Sequence, residues 1–166
     1  MLLAELSERR YTKTTKIGAM IYDPPLPSPF YRVTSRAIIL DDQNRLIVVK
    51  DDKGHWQMPG GGWEHGESLL QCVQRELKEE LGAEVVACFE NVFFYMQPNR
   101  RGYYSFRVAV HCQVASHDFN PGDDMVEYRA VSREEFMTIK FTDGEGAIQD
   151  YADKIWPASA TAPKAG

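Results

Sequence analysis

The stretch Gly61 to Ala83 constrains the fold more than any other part of the chain, because it runs a glycine-rich loop directly into a capped amphipathic helix. Ser68 and Gln71 have capping-box spacing, and Gly82 stands where a helix C′ glycine belongs, so a helix is expected between them. At about 100° per residue with Leu70 at zero, Val73, Leu77 and Leu81 fall at about 300°, 340° and 20°, an apolar stripe. On the same wheel Glu76, Glu79 and Glu80 fall at about 240°, 180° and 280° and read as a separate carboxylate stripe. Like charges one turn apart repel, so this helix requires a compensating cation. Arg75, four residues before Glu79, and Lys78 supply part of it as a solvated charged face. A hard divalent ion is the alternative, since Mg²⁺ is held through carboxylate oxygens together with waters and substrate phosphates. The glycines favour the ion, because they let backbone carbonyls and a further carboxylate, Glu67, approach the stripe.

Composition narrows the field further. With 166 residues, one domain with a sizeable core is expected. The 24 acids outnumber the 19 Lys and Arg, for a formal charge of −5, which weighs against nucleic acid as a partner. Five of those acids, Glu64, Glu67, Glu76, Glu79 and Glu80, lie between Gly61 and Ala83. No apolar run reaches the roughly 18 residues of a membrane span, and charges interrupt the N-terminal Met1–Leu6 stretch too early for a secretory signal. A cytoplasmic protein is therefore expected. Cys72, Cys88 and Cys112 have no CxxC spacing and read as free core or surface residues.

Along the chain, residues 1–31 end in Asp23-Pro-Pro-Leu-Pro-Ser-Pro29 and read as an extended arm, a candidate contact in a homodimer. Residues 32–156 form the domain, and 157–166 a flexible tail. Val33–Leu40 and Leu46–Lys50 read as a hairpin about the turn Asp41–Asn44, with a second turn at Asp51–Gly54. Two longer strands follow, near 84–96 and 103–114, joined by Pro98–Gly102. In the second of them Tyr104, Phe106, Val108, Val110, Cys112 and Val114 alternate with Tyr103, Ser105, Arg107 and His111, which predicts one buried face and one open to substrate. A short strand at Glu127–Val131 precedes a capping box at Ser132 and Glu135. Ile148, Tyr151, Ala152, Ile155 and Trp156 have the spacing of a last amphipathic helix.

The stretch from Gly61 resembles the Nudix box: glycine, five residues, Glu, seven residues, then Arg-Glu-aliphatic-x-Glu-Glu-x-Gly-aliphatic. Gly61, Glu67, Arg75, Glu76, Glu79, Glu80 and Gly82 match each fixed position, with Leu77 and Ala83 at the aliphatic sites. The resemblance implies an α/β/α sandwich around a mixed β-sheet and hydrolysis, dependent on Mg²⁺ or Mn²⁺, of a nucleoside diphosphate linked to another moiety. It implies Glu76, Glu79 and Glu80 as metal ligands with the Gly60 carbonyl as a fourth, braced by Glu67 and Arg75. For the general base it leaves Glu76 and a downstream acid open, with Asp123, Asp124 and Glu127 as the candidates for the latter. Trp63, Tyr95, Tyr103 and Arg107 are candidates to contact substrate. A nucleotide sugar or ADP-ribose is the preferred substrate class, Pro98 resembling a proline of ADP-ribose-hydrolysing members. A damaged nucleoside triphosphate, an RNA end, or a non-catalytic sensor of such nucleotides are the alternatives.

Overall fold

Two strands consecutive along the chain, β1 (Tyr31–Ile38), with Ile39 just beyond it, and β2 (Leu46–Asp51), send alternate side chains into two different cores. Ala37, Ile39, Ile47 and Val49 enter one, where they meet Val73, Leu77, Leu81, Val110 and Cys112. Ile38, Leu46 and Val48 enter the other, against Met58, Ala109, Phe136, Ile148 and Ile155. Strands buried on both faces lose the polar alternation of a solvated sheet and read as continuous apolar runs, as Ala37–Leu40 and Leu46–Val49 do. The computed structural model describes residues 30–98, 103–141 and 145–157. The proposed N-terminal arm up to residue 29, the Asn99–Gly102 turn and the tail from residue 158 lie outside the described residues; Tyr31, assigned to the arm, opens β1.

The remaining elements are β3 (Trp56–Gln57), α1 (Leu69–Leu81), β4 (Val85–Pro98), β5 (Tyr104–Val114), β6 (Met125–Val131), α2 (Arg133–Thr138), a 3-10 turn (Glu145–Tyr151) and α3 (Ala152–Ile155). One sheet has the order β1-β5-β4 and is mixed, with β1 parallel and β4 antiparallel to β5. The other, β3-β2-β6, is antiparallel. The first core joins α1 to the sheets, and the second joins them to α2, the 3-10 turn and α3. This is the expected α/β/α sandwich.

Local chemistry sets the element ends. The Ser68 hydroxyl accepts from the Gln71 amide and the Gln71 side chain accepts from the Ser68 amide, closing the capping box of α1. Gly82 ends that helix at φ 63°, and its amide donates to the carbonyls of Leu77 and Lys78. Ser132 and Glu135 cap α2 in the same reciprocal way. Asp51 accepts from the amides of Lys53 and His55 and shapes the β2–β3 turn.

Four expectations are corrected. Asp41 does make a turn, accepting from the amides of Gln43 and Arg45, but β1 and β2 do not pair as a hairpin. Only Leu40 and Leu46 bridge, because β1 takes β5 as its partner and β2 takes β6. The face of β5 opposite its apolar one is not open: Ser105, Arg107 and Ala109 are 3%, 8% and 0% exposed, under the second core. The last helix is broken into a 3-10 turn and a single α turn, although Ile148, Ala152, Ile155 and Trp156 are all buried as that pattern requires. On α1, Leu70 is 44% exposed, whereas Cys72 and Glu80 are buried beside Val73, Leu77 and Leu81. The buried arc is thus rotated toward the carboxylates, and Glu80 belongs to it.

Replacing Gly82 by Ala retains α1 but forces a side chain into left-handed backbone. Urea denaturation is expected to show a loss of about 1 kcal/mol, the usual cost of that conformation for a residue with a Cβ.

Candidate active site

The Gly60 peptide is the point where β1, the glycine loop and α1 meet. Its amide donates to Glu80 Oε2 at 2.7 Å, and its carbonyl accepts from the guanidinium of Arg36 on β1. The loop is laced to β1 by further backbone bonds, from Ser35 N to Gly61 O at 2.9 Å and from Ala37 N to Pro59 O at 2.9 Å. Gly60 has φ 118°, and a Cβ there would stand 2.7 Å from the Ser35 carbonyl oxygen, so glycine is required twice over. At Gly61 a Cβ would collide with the Glu76 carboxylate at 2.3 Å.

Arg75 organises the other side of the cluster. Its Nη2 donates to Glu67 Oε1 at 2.8 Å and to the Gly62 carbonyl at 2.9 Å, its Nε donates to Glu67 Oε2 at 3.2 Å, and its Nη1 reaches Glu76 Oε1 at 2.7 Å and Glu79 Oε2 at 3.3 Å. Such forked, charge-assisted bonding fixes geometry as well as charge. The Arg75 guanidinium holds the Glu67 carboxyl well below the usual range, to about 2, and Glu67 in turn, with Glu76, raises Arg75. Glu67 also accepts from the Glu64 amide at 2.6 Å, which ties the loop to itself.

The three box glutamates sit in graded environments. Glu79 has a half-exposed side chain. Burial raises the Glu76 carboxyl, against the pull of Arg75 and Arg36. Glu80, 5% exposed, is pushed by burial up to about 8, against the Gly60 amide and Arg36, while Glu76 and Asp123 add to the rise. Among the described residues, no three His, Cys, Asp or Glu side chains are gathered closely enough to close around an ion. Arg75 and the Gly60 amide occupy carboxylate oxygens of all three glutamates. The donor set is nonetheless that of a hard divalent cation: oxygen atoms alone, one of them a backbone carbonyl, with a carboxylate whose burial an added positive charge would offset.

Of the downstream acids, Asp123 is brought within electrostatic reach of Glu80, through a loop in which the Gly122 amide donates to the Glu80 carbonyl at 2.9 Å. Glu127 stands opposite Lys50 in the β2–β6 register and is paired with it at 3.0 Å. Trp63 turns its indole N–H onto the Glu67 carbonyl at 2.9 Å. Tyr95 is buried and lies 5.7 Å from the Tyr151 ring, Arg107 is buried between Thr34 and Tyr95 in the strand register, and the Tyr103 ring meets Phe30 edge-on at 5.3 Å. The first sheet therefore puts Arg107 and Tyr95 side by side and leaves Tyr103 just before β5. A groove lined by Leu40, His111, Ser116 and Asp118 lies toward the other end of β5 and contains none of the box carboxylates.

Sequence reasoning missed Arg36. The signal was present as a single arginine inside the apolar run Ser35-Arg-Ala-Ile-Ile-Leu40, where a charge must find a buried partner.

The NUDIX domain description matches residues 30–150. An RNA pyrophosphohydrolase of Wolbachia pipientis subsp. Culex pipiens (strain wPip) is 38% identical over 73 residues, 41% of this chain and 45% of that protein. The 8-oxo-dGDP phosphatase of Homo sapiens is 36% identical over 50 residues, 28% of this chain and 16% of that protein. The chain thus spans less than half the length of these curated relatives. Among solved structures, the MutT protein from Methanosarcina mazei Go1 superposes with a TM-score of 0.67 at 18% identity, covering 78% of this chain and 96% of that one. An ADP-ribose pyrophosphatase from Streptococcus suis superposes with a TM-score of 0.57 at 21% identity, covering 80% and 95%. At such identities the superpositions show a shared fold. No described helix is long and apolar enough to cross a membrane.

A carboxyl whose folded pKa is raised stabilises the fold at low pH and loses that contribution as pH rises from its unfolded value, near 4.5, through about 8. In EDTA, Glu80→Gln is therefore expected to match the parent near pH 5 and to exceed it in stability by roughly 2–4 kcal/mol at pH 8. Chemical denaturation at the two pH values checks this, and an equal gap at both refutes it.

Proposed function

Because the chain belongs to the Nudix family, we propose that it hydrolyses a phosphoanhydride bond in a nucleoside diphosphate linked to another moiety, with a nucleotide sugar or ADP-ribose as the preferred class. The observation that supports this best is the box itself in folded form: Glu76, Glu79 and Glu80 on α1, the Gly60 carbonyl at the mouth of the loop, and Arg75 bracing Glu67, Glu76 and Glu79. Glu76, Glu79, Glu80 and Gly60 hold Mg²⁺ or Mn²⁺ in this reading, a cofactor class general in the family. When bound, such an ion polarises a phosphoryl oxygen and neutralises the charge that builds on the leaving group. The acidic site requires it, since a diphosphate could not otherwise approach these carboxylates.

The chain's own residues do the rest. Glu67 and Arg75 fix the orientation of the glutamates, so that little reorganisation is needed when substrate arrives. Glu76, raised by burial and held by Arg75, is positioned to take a proton from the attacking water. Asp123, beside Glu80, is the downstream alternative, in preference to Glu127, which Lys50 engages. Trp63, its indole N–H held by the Glu67 carbonyl, offers substrate an aromatic face, whereas Arg107 stays buried in register with Tyr95.

A second reading, hydrolysis of a damaged nucleoside triphosphate or a triphosphorylated RNA end, draws support for its RNA arm from the relative named as RNA pyrophosphohydrolase, while the relative named as 8-oxo-dGDP phosphatase points to a damaged nucleoside diphosphate. The net charge of −5 weighs against long RNA.

A panel of ADP-ribose, nucleotide sugars, 8-oxo-dGDP and 5′-triphosphorylated oligoribonucleotide, incubated with Mg²⁺ or Mn²⁺, is expected to yield nucleoside monophosphate from the first two. Turnover of only the last two overturns the preferred class, and turnover of none supports a sensor instead. Glu79→Gln is expected to lower kcat by about 10²–10³ with the fold intact by circular dichroism, the scale expected when an electrostatic stabiliser of the transition state is lost. For the base, pH–rate profiles of Glu76→Gln, Asp123→Asn and Glu127→Gln are compared; the one that loses the acidic limb identifies it.

A further inference from the structure

Arg36 lies outside the box, on β1, and is only 6% exposed. Its Nη1 donates to the Gly60 carbonyl and, at 3.2 Å, to the Ser35 carbonyl, so the guanidinium is pinned over the mouth of the glycine loop. Its charge acts favourably on both Glu76 and Glu80. Arg75 braces the opposite, more exposed side of the cluster, where it reaches Glu67, Glu76 and Glu79 but not Glu80. The deepest carboxylate of the site thus lies in the field of Arg36, and the two meet at Gly60, one at its amide and the other at its carbonyl.

We propose that Arg36 is the internal counter-cation of the carboxylate site: it holds the Gly60 carbonyl and the Glu76–Glu80 pair together until a divalent ion takes over that work. Arg36 is thus a positioning residue. It lowers the cost of gathering acids in a buried place, and it competes with the ion for the same carbonyl and the same field. Its loss must weaken the metal-free protein more than the metal-loaded one. Thermodynamic linkage then requires that the variant bind the ion more tightly than the parent. A merely structural arginine would be missed equally in both states.

This inference rests on the reading of Glu76, Glu79, Glu80 and Gly60 as the cation site, and the test separates the two. Thermal midpoints of the parent, Arg36→Met and Arg36→Lys are measured in EDTA and in saturating Mn²⁺, and the affinity for Mn²⁺ alone is measured by calorimetry. In EDTA, Arg36→Met is expected to melt several degrees below the parent, with Arg36→Lys between them because it retains the charge. Saturating Mn²⁺ is expected to close most of that gap, and Arg36→Met to bind Mn²⁺ about tenfold more tightly, the scale expected for removing a nearby unit charge. An equal deficit with and without Mn²⁺, weaker Mn²⁺ binding by Arg36→Met, or a Lys variant no better than Met in EDTA overturns the proposal while leaving the cation site standing. Absence of Mn²⁺ binding by the parent overturns both. Should neither variant fold, the parent labelled with ¹⁵N-arginine and titrated with Mg²⁺ decides: the buried Arg36 Nε–H resonance is expected to move with binding, and a resonance that stays put overturns the proposal.

Discussion

The constraint around which the site is arranged is the Glu80 carboxyl, buried on a helix face that otherwise packs apolar side chains. Burying a charge without a partner costs several kcal/mol, and much of the surrounding structure answers that cost. Gly60 lacks a side chain, so its peptide can lie between the Ser35 carbonyl and Glu80 and aim its amide at the carboxylate. Arg36 is carried into the same place by a strand buried on both faces.

What the sequence disclosed follows the range of the interactions involved. The caps of α1 and α2, the Asp41 and Asp51 turns and the Gly82 terminus are local hydrogen-bond patterns, spelled out within five residues, and all are present. Strand partnership is not local. The Asp41 turn invites a hairpin, but the gain from pairing β1 with β5, and thereby burying both faces, outweighs it. The open substrate face expected on β5 failed for the same reason: an alternating pattern marks one buried side and says nothing about what distant segments bring to the other. The helix wheel identified the stripe of α1 but not its centre, because Leu70 sits in a first turn that the sheet does not cover, while Cys72 packs against Ser35 at 3.2 Å.

The site itself divides in the same way. Glu67, Arg75, Glu76, Glu79 and Glu80 lie on one loop and one helix, so their proximity could be read from spacing alone. Arg36 and Asp123 reach Glu80 from 44 and 43 positions away along the chain, and each is an unremarkable letter in its own neighbourhood. The sequence could reveal the kind of donor present but not the cations and neighbours that set how each donor titrates.

The parallel pairing of β1 with β5 has a kinetic consequence. Tyr31 aligns with Tyr104, and everything between them, α1 included, must be looped out before that ladder can close. Non-local closure is slow relative to helix formation. The capped helix carrying the glutamates can therefore form early, whereas the Gly60 clasp depends on β1 having found its place. The helix that carries the acids is thus ordered by local contacts, and the pocket that restrains them only by non-local ones.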